Sequence, residues 1–116
     1  VPATELQLAP VRVKGCCQPL VKAVPAKRAE STAAVLKALA DPTRLQMLHM
    51  LSRAPEPVCV CDFTAAFELG QPTVSHHLGK LREAGLVTST RRGIWAFYEL
   101  AAQLPPVATA VLTELH

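Results

Sequence analysis

Between Phe63 and Val87 the chain reads FTAAFELGQPTVSHHLGKLREAGLV, and this run limits the fold more than any other. Phe63 and Phe67 stand four apart on one face of a helix that is expected to begin near Val58 to Asp62 and to run to Leu69, with Gly70 closing it. Pro72 opens a second helix, because a first helical turn makes no use of the N–H that proline lacks, and Gly85 supplies the left-handed cap that stops it. In that second helix Val74, Leu78 and Leu81 fall at i, i+4 and i+7, which turns all three to one side, toward a core. Two helices joined by a tight Gly-containing turn have the outline of a helix-turn-helix. After Gly85, LVTST and IWAFYEL are rich in Val, Thr and aromatic residues and read as two strands joined by a turn at Arg91-Arg92-Gly93. A helix-turn-helix followed by an arginine-tipped hairpin predicts a mainly α fold with a β-hairpin wing, the winged helix-turn-helix.

The flanks complete a single domain over residues 26–116. AKRAESTAAVLKALA (26–40) is rich in good helix formers, with Val35, Leu36 and Leu39 on one stripe. Asp41 and Pro42 then cap and open the next helix, whose buried side is Leu45, Leu48 and Leu51 and which ends before Pro55-Glu56-Pro57. A last helix is expected from Pro105-Pro106. Residues 1–25 hold four of the ten prolines and no sustained helical period, so they read as an extended arm carrying the vicinal pair Cys16-Cys17. With 18% charged residues and a mean hydropathy of +0.24, the 116-residue chain is too apolar for a disordered protein. No stretch matches the roughly 20 apolar residues of a membrane span, no secretory signal pattern opens the chain, and a cytoplasmic protein is expected. Its 12 Lys and Arg against 9 Asp and Glu give a net charge of +3, suited to a nucleic-acid partner without establishing one.

The helix from Gln71 carries a polar face of Thr73, His76, His77 and Lys80 beside its apolar side. Such residues hydrogen-bond to base edges or phosphates, with Lys80 supplying a phosphate charge. On an isolated helix a wet polar surface would be the better account; the turn before it and the hairpin after it favour DNA. Four cysteines in a reducing compartment point to soft-ion binding rather than to disulfides. Cys16 and Cys17 can reach one ion together from a flexible arm. Cys59 and Cys61 can do so only if a helix begins between them, since i and i+2 on a regular helix diverge. A helix N-terminus there is expected to lower the thiol pKa. Small buried apolar cysteines are the plainer alternative for this second pair.

KALADPTRLQMLHML, VCVCDFTAAFELGQPTVSHHLGKLREAGLV and RRGIWAFYEL, in that order and spacing, resemble the ArsR/SmtB family of metal-responsive repressors over about Val35 to Leu100. The resemblance implies a homodimer paired through its first and last helices and bound to a palindromic operator of double-stranded DNA. Apolar Val35, Leu36, Leu39, Val107, Val111, Leu112 and Leu115 agree with such pairing. The family's DNA-contacting positions fall on Gln71, Thr73, Ser75, His76 and Lys80, with Arg91 and Arg92 in the wing; His77 suits packing as well as contact. In the family the CVCD box is an inducer site that N-terminal cysteines complete in some members, which assigns Cys16, Cys17, Cys59 and Cys61 as ligands. Cys16-Cys17-Gln18-Pro19-Leu20 with CVCD and RRGIW most resembles arsenic-responsive members of actinobacterial type. That favours As(III) or Sb(III), held by three thiolates, over Cd(II) or Pb(II) in a CadC-like sensor with up to four. The last helix offers only Glu114 and His116, short of the ligand set of the family's zinc sensors, and His49 reads as a structural or surface histidine. A thiol redox regulator is the rival from another class, although no C-x-x-C or βαβ pattern accompanies the cysteines. A constitutive DNA-bending module is a third. No motif for catalysis, and no small-molecule substrate or membrane role, is expected.

Overall fold

The structure, a computed structural model, describes residues 17–21 and 24–116. Cys16 and most of the arm lie outside them; residues 17–21 form neither helix nor strand and are exposed. The elements in chain order are α1 (Ala26–Leu39), α2 (Pro42–Arg53), β1 (Val58–Cys59), α3 (Val60–Phe67), α4 (Gln71–Glu83), β2 (Val87–Arg92), β3 (Trp95–Leu100) and α5 (Pro106–Leu115).

Local chemistry sets several boundaries where expected. Asp41 caps α2 by accepting from the Arg44 N–H at 3.0 Å, with Pro42 in the first turn. Gly85 follows α4 at φ +78, and α5 starts with Pro106. Three expectations need correction. Helix α3 is stopped by Glu68 in the left-handed region (φ 54), while Gly70 sits extended at φ −70 as the N-cap of α4. The N-cap needs an extended residue, and the left-handed residue falls two positions earlier, where the sequence offers no glycine. The hairpin turn is Gly93-Ile94, with Gly93 at φ +65, so Arg91 and Arg92 belong to β2, paired with Ala96 and Trp95. Finally, Val58 and Cys59 form a short strand that pairs antiparallel with Tyr98 and Phe97, giving a three-stranded sheet ordered β1-β3-β2.

The core gathers Met47 and Leu48 from α2, Phe63 from α3, Val74, Leu78 and Leu81 from α4, and Leu86 just before β2, all fully buried. At about 1.5–3 kcal/mol for each large apolar side chain removed from water, these fix α4 and α3 against α2. Val35 and Leu39 of α1 and Ala108 and Leu112 of α5 join the same cluster. Leu36 on α1 and Leu115 on α5 remain 46% and 40% exposed. Among the described residues no helix is long and apolar enough to cross a membrane.

Candidate nucleic-acid interface and thiol site

With Val74, Leu78 and Leu81 turned inward, α4 presents Gln71, Thr73, Ser75, His76 and Lys80 to solvent. Gly70 gives α4 no side-chain cap, so no side chain satisfies the N–H groups of its first turn. Lys80 Nζ lies 3.9 Å from Glu83 Oε1; both ends are well exposed, so the pair is weak and leaves the lysine available to another anion.

His77 behaves differently from its neighbour. Arg44 Nε donates to His77 Nδ1 at 3.2 Å, Arg44 Nη1 donates to the Ala38 carbonyl, and Asp41 Oδ2 lies 3.8 Å from the same ring nitrogen. Nδ1 therefore accepts from the guanidinium, and the longer approach to Asp41 is not a hydrogen bond. The Asp41 carboxyl is held below its ordinary pKa, first by the Arg44 N–H that donates to it and then by the Arg44 guanidinium, against the opposing effect of burial. This cluster bolts α4 to the start of α2, which gives His77 the packing role.

On β2, successive side chains point to opposite faces. Arg92 lies over the Phe97 ring at 5.2 Å, a cation–π contact, whereas Arg91 turns toward α4 and lines a cavity of about 710 Å³. Cys61, Trp95 and Arg82 also line it, and Arg82 Nη1 reaches Ser89 Oγ at 3.4 Å, tying α4 to the hairpin. Trp95, Arg82 and Arg44 stand in the runs that carry the family resemblance, but nothing in the sequence assigns them these contacts.

The helix α3 begins between the two cysteines of the CVCD run. Cys59 is the extended N-cap (φ −73, ψ 146), only 5% exposed, and its N–H donates to Asp62 Oδ2 at 3.1 Å. Its sulfur accepts from the Cys61 N–H at 3.4 Å and from the Cys61 thiol at 2.8 Å. This is a capping box with sulfur in place of the usual hydroxyl. The expected lowering of thiol pKa is not seen at Cys61. Its pKa is raised, first because the thiol donates to Cys59 and further by desolvation and the negative charges near it. Cys17 is a free, exposed thiol, and no group of three or more His, Cys, Asp or Glu converges among the described residues. The donor chemistry of the two sulfurs fits a soft ion.

The His49 ring centroid lies 5.0 Å from that of His116, and His49 Nδ1 is buried without a hydrogen-bond partner among the described residues. Arg53 Nη1 is 3.5 Å from His116 Nδ1. His49 is thus packed against α5.

Residues 41–89 match the model of a family described as bacterial regulatory protein, arsR family. The arsenic resistance transcriptional regulator ArsR1 of Pseudomonas putida is 45% identical over 78 residues, 67% of this chain and 60% of that protein. The arsenical resistance operon repressor of Escherichia coli is 40% identical over 80 residues, 69% of this chain and 68% of that protein. Among solved structures, a homodimeric winged helix-turn-helix DNA-binding domain from Mycobacterium bovis, described as a possible ArsR-family transcriptional regulator, superposes with a TM-score of 0.65. It is 26% identical, over 84% of this chain and 86% of that one. The chain is therefore a member of the bacterial arsR family, a winged helix-turn-helix DNA-binding transcriptional regulator.

Proposed function

We propose that the protein is an arsenite- and antimonite-responsive repressor that binds a palindromic operator as a homodimer and leaves it when the trivalent metalloid is bound. The single observation that carries this reading is the facing pair of sulfurs, 2.8 Å apart, at the first turn of the helix that precedes the recognition helix. The names of the Pseudomonas and Escherichia relatives support arsenic as the inducer. Three thiolates, drawn from Cys59 and Cys61 with Cys16 and Cys17 of the arm, hold the metalloid, which when bound cross-links thiolates that are otherwise separate. To serve as ligands, Cys59 and Cys61 each give up a thiol proton, so the thiol–sulfur bond between them is lost while the Cys59 sulfur can keep the Cys61 N–H. The sulfur that caps the first turn of α3 then also carries the metalloid, and the turn is remade around it. Phe63, one turn on, shares the buried cluster with Val74 and Leu78, so the change reaches α4 through packed side chains.

In the operator complex α4 enters the major groove with Gln71, Thr73, Ser75, His76 and Lys80, while Arg91 and Arg92 meet the flanking backbone. Dimerisation through α1 and α5 covers Leu36 and Leu115, and the homodimeric state of the Mycobacterium domain supports a dimer. The coupling is reciprocal: the factor by which inducer weakens DNA binding is the factor by which DNA weakens inducer binding. The proximity of the two sulfurs also suits oxidation by a peroxide to a disulfide, which is the second reading.

Fluorescence anisotropy on a labelled duplex, selected by the protein from a random pool, tests both. Arsenite, antimonite, cadmium, lead, zinc and hydrogen peroxide are titrated in turn under reducing or metal-free conditions as each requires. Release by arsenite and antimonite at concentrations where cadmium and lead leave the complex intact is expected. Release by cadmium and lead first would make the four-thiolate sensor correct, and release by peroxide alone would make the redox reading correct.

A further inference from the structure

The cavity between α3, α4 and the hairpin brings the thiol site and the DNA face together. Cys61 and Thr64 stand on its α3 wall, Gln71 and Ser75 on its α4 wall, Arg91 and Trp95 on its hairpin wall. Cys59, two residues earlier, is buried and is not part of the lining. Its polar walls donate: a guanidinium from Arg91, a second from Arg82, the Ser75 hydroxyl and the Gln71 amide, with no carboxylate anywhere on the lining. Gly79 leaves a gap in the α4 wall where a Cβ would meet nothing within 4 Å. Two arginines, neutral donors and an open stretch of helix backbone suit an anion that approaches closely, and phosphate oxygens take most of the hydrogen bonds of a protein–DNA interface.

We infer that this cavity seats the sugar-phosphate backbone of the operator, so that the Cys61 thiol lies beneath bound DNA, and operator and any adduct on that sulfur exclude one another. The inference rests on the reading of α4 and the hairpin as the DNA interface and goes beyond it. It makes the sensor thiol part of the surface that DNA covers, in addition to a lever that acts through the core. Cys61 is thereby assigned as a modification site: a compact electrophile bonded to its sulfur blocks DNA directly. The arm thiol Cys17, exposed and outside the cavity, serves as the internal control.

The test uses the wild-type chain and a duplex that it has selected from a random pool. Iodoacetamide forms a carbon–sulfur bond at a thiolate and expels iodide, the thiol proton passing to buffer, and mass spectrometry reads Cys17 and Cys61 separately. Saturating duplex is expected to slow alkylation of Cys61 by about tenfold or more while changing Cys17 less than about twofold. Protein alkylated on the duplex then carries arm adducts alone and is the reference for protein alkylated free. Iodoacetate and iodoacetamide add groups of nearly equal size, one anionic and one neutral. If the adduct lies against phosphate, the anionic one should cost about fivefold more duplex affinity at low salt, the excess fading as the Debye length falls below about 8 Å. Equal slowing of Cys17 and Cys61 would overturn the inference while leaving the DNA-binding reading intact. So would equal costs of the two adducts, which would mean that Cys61 acts through the shape of α3. Protection matched by inorganic phosphate alone would make the cavity a small-anion site and overturn it as well. A protein that selects no duplex would remove the DNA-binding reading and this inference together.

Discussion

The two helices of the helix-turn-helix begin in opposite ways. The first turn of α3 is closed on itself: Cys59 sulfur takes the Cys61 N–H and thiol, and Asp62 returns to take the Cys59 N–H. The first turn of α4 is open, with Gly70 at the cap and no side chain on its N–H groups. A start held by exchangeable bonds to sulfur is one that a thiol ligand can undo. A start left bare, with the positive end of the helix dipole exposed, suits a phosphate. On the proposed function, neighbouring elements of one motif are divided between sensing and reading.

The largest expected effect breaks the sensing half alone. Replacing Cys16→Ser together with Cys17→Ser should abolish release by arsenite, because at most two soft ligands remain. Operator affinity should stay within about threefold, since changes away from packed features cost under roughly 0.5 kcal/mol. Release at the wild-type arsenite concentration would put the whole inducer site at Cys59 and Cys61.

On the reading half, Arg91→Ala should weaken binding to every sequence and reduce the slope of log K against log salt by about one unit. Arg92→Ala should do the same if it leaves Phe97 for the backbone, and should leave the slope unchanged if the cation–π contact holds it in the complex. Thr73→Ala or His76→Ala should instead narrow the gap between operator and random DNA, as competition binding with both duplexes would show.

Exchanging the two kinds of cap sharpens the comparison further. Asp62→Ala opens the α3 box and should cost about 1 kcal/mol in urea unfolding. Gly70→Asp gives α4 the cap it lacks, and the added Cβ meets only Pro72 Cδ at an ordinary 3.7 Å. It should raise stability by a few tenths of a kcal/mol and yet weaken operator binding, because the carboxylate occupies the phosphate's place. A Gly70→Asp protein that binds operator as tightly as wild type would remove the open start of α4 from the interface. The turn between the helices should affect stability alone and leave operator binding unchanged. Glu68→Gly relieves a left-handed residue and should stabilise by about 0.5–1 kcal/mol, offset in part by the freer unfolded chain.

Features decided within a few residues were legible in the sequence. Asp41-Pro42, Gly85 and Pro106 set helix ends through local caps, and Val74, Leu78 and Leu81 show the buried side of α4 through spacing alone. Features decided by partners far along the chain were not. The strand at Val58–Cys59 is two residues long and exists because Tyr98 and Phe97 lie beside it. His77 is held in packing by Arg44, 33 residues away. The Cys61 thiol pKa runs against the helix-end expectation because Cys59 sits close enough to take its hydrogen bond. Arg91 and Arg92 look equivalent in sequence, and only strand alternation with Phe97 on one face separates them.

The division between a sensing start and a reading start is tested most directly by amide hydrogen exchange, read on peptides spanning residues 59–64 and 70–76, for the free protein, the arsenite-bound protein and the operator complex. Arsenite should change exchange at 59–64, where the sulfur cap is remade. Operator should slow exchange at 70–76, where the uncapped N–H groups meet phosphate. Arsenite binding that leaves 59–64 unaltered, with its changes confined to α5 or absent, would contradict the account.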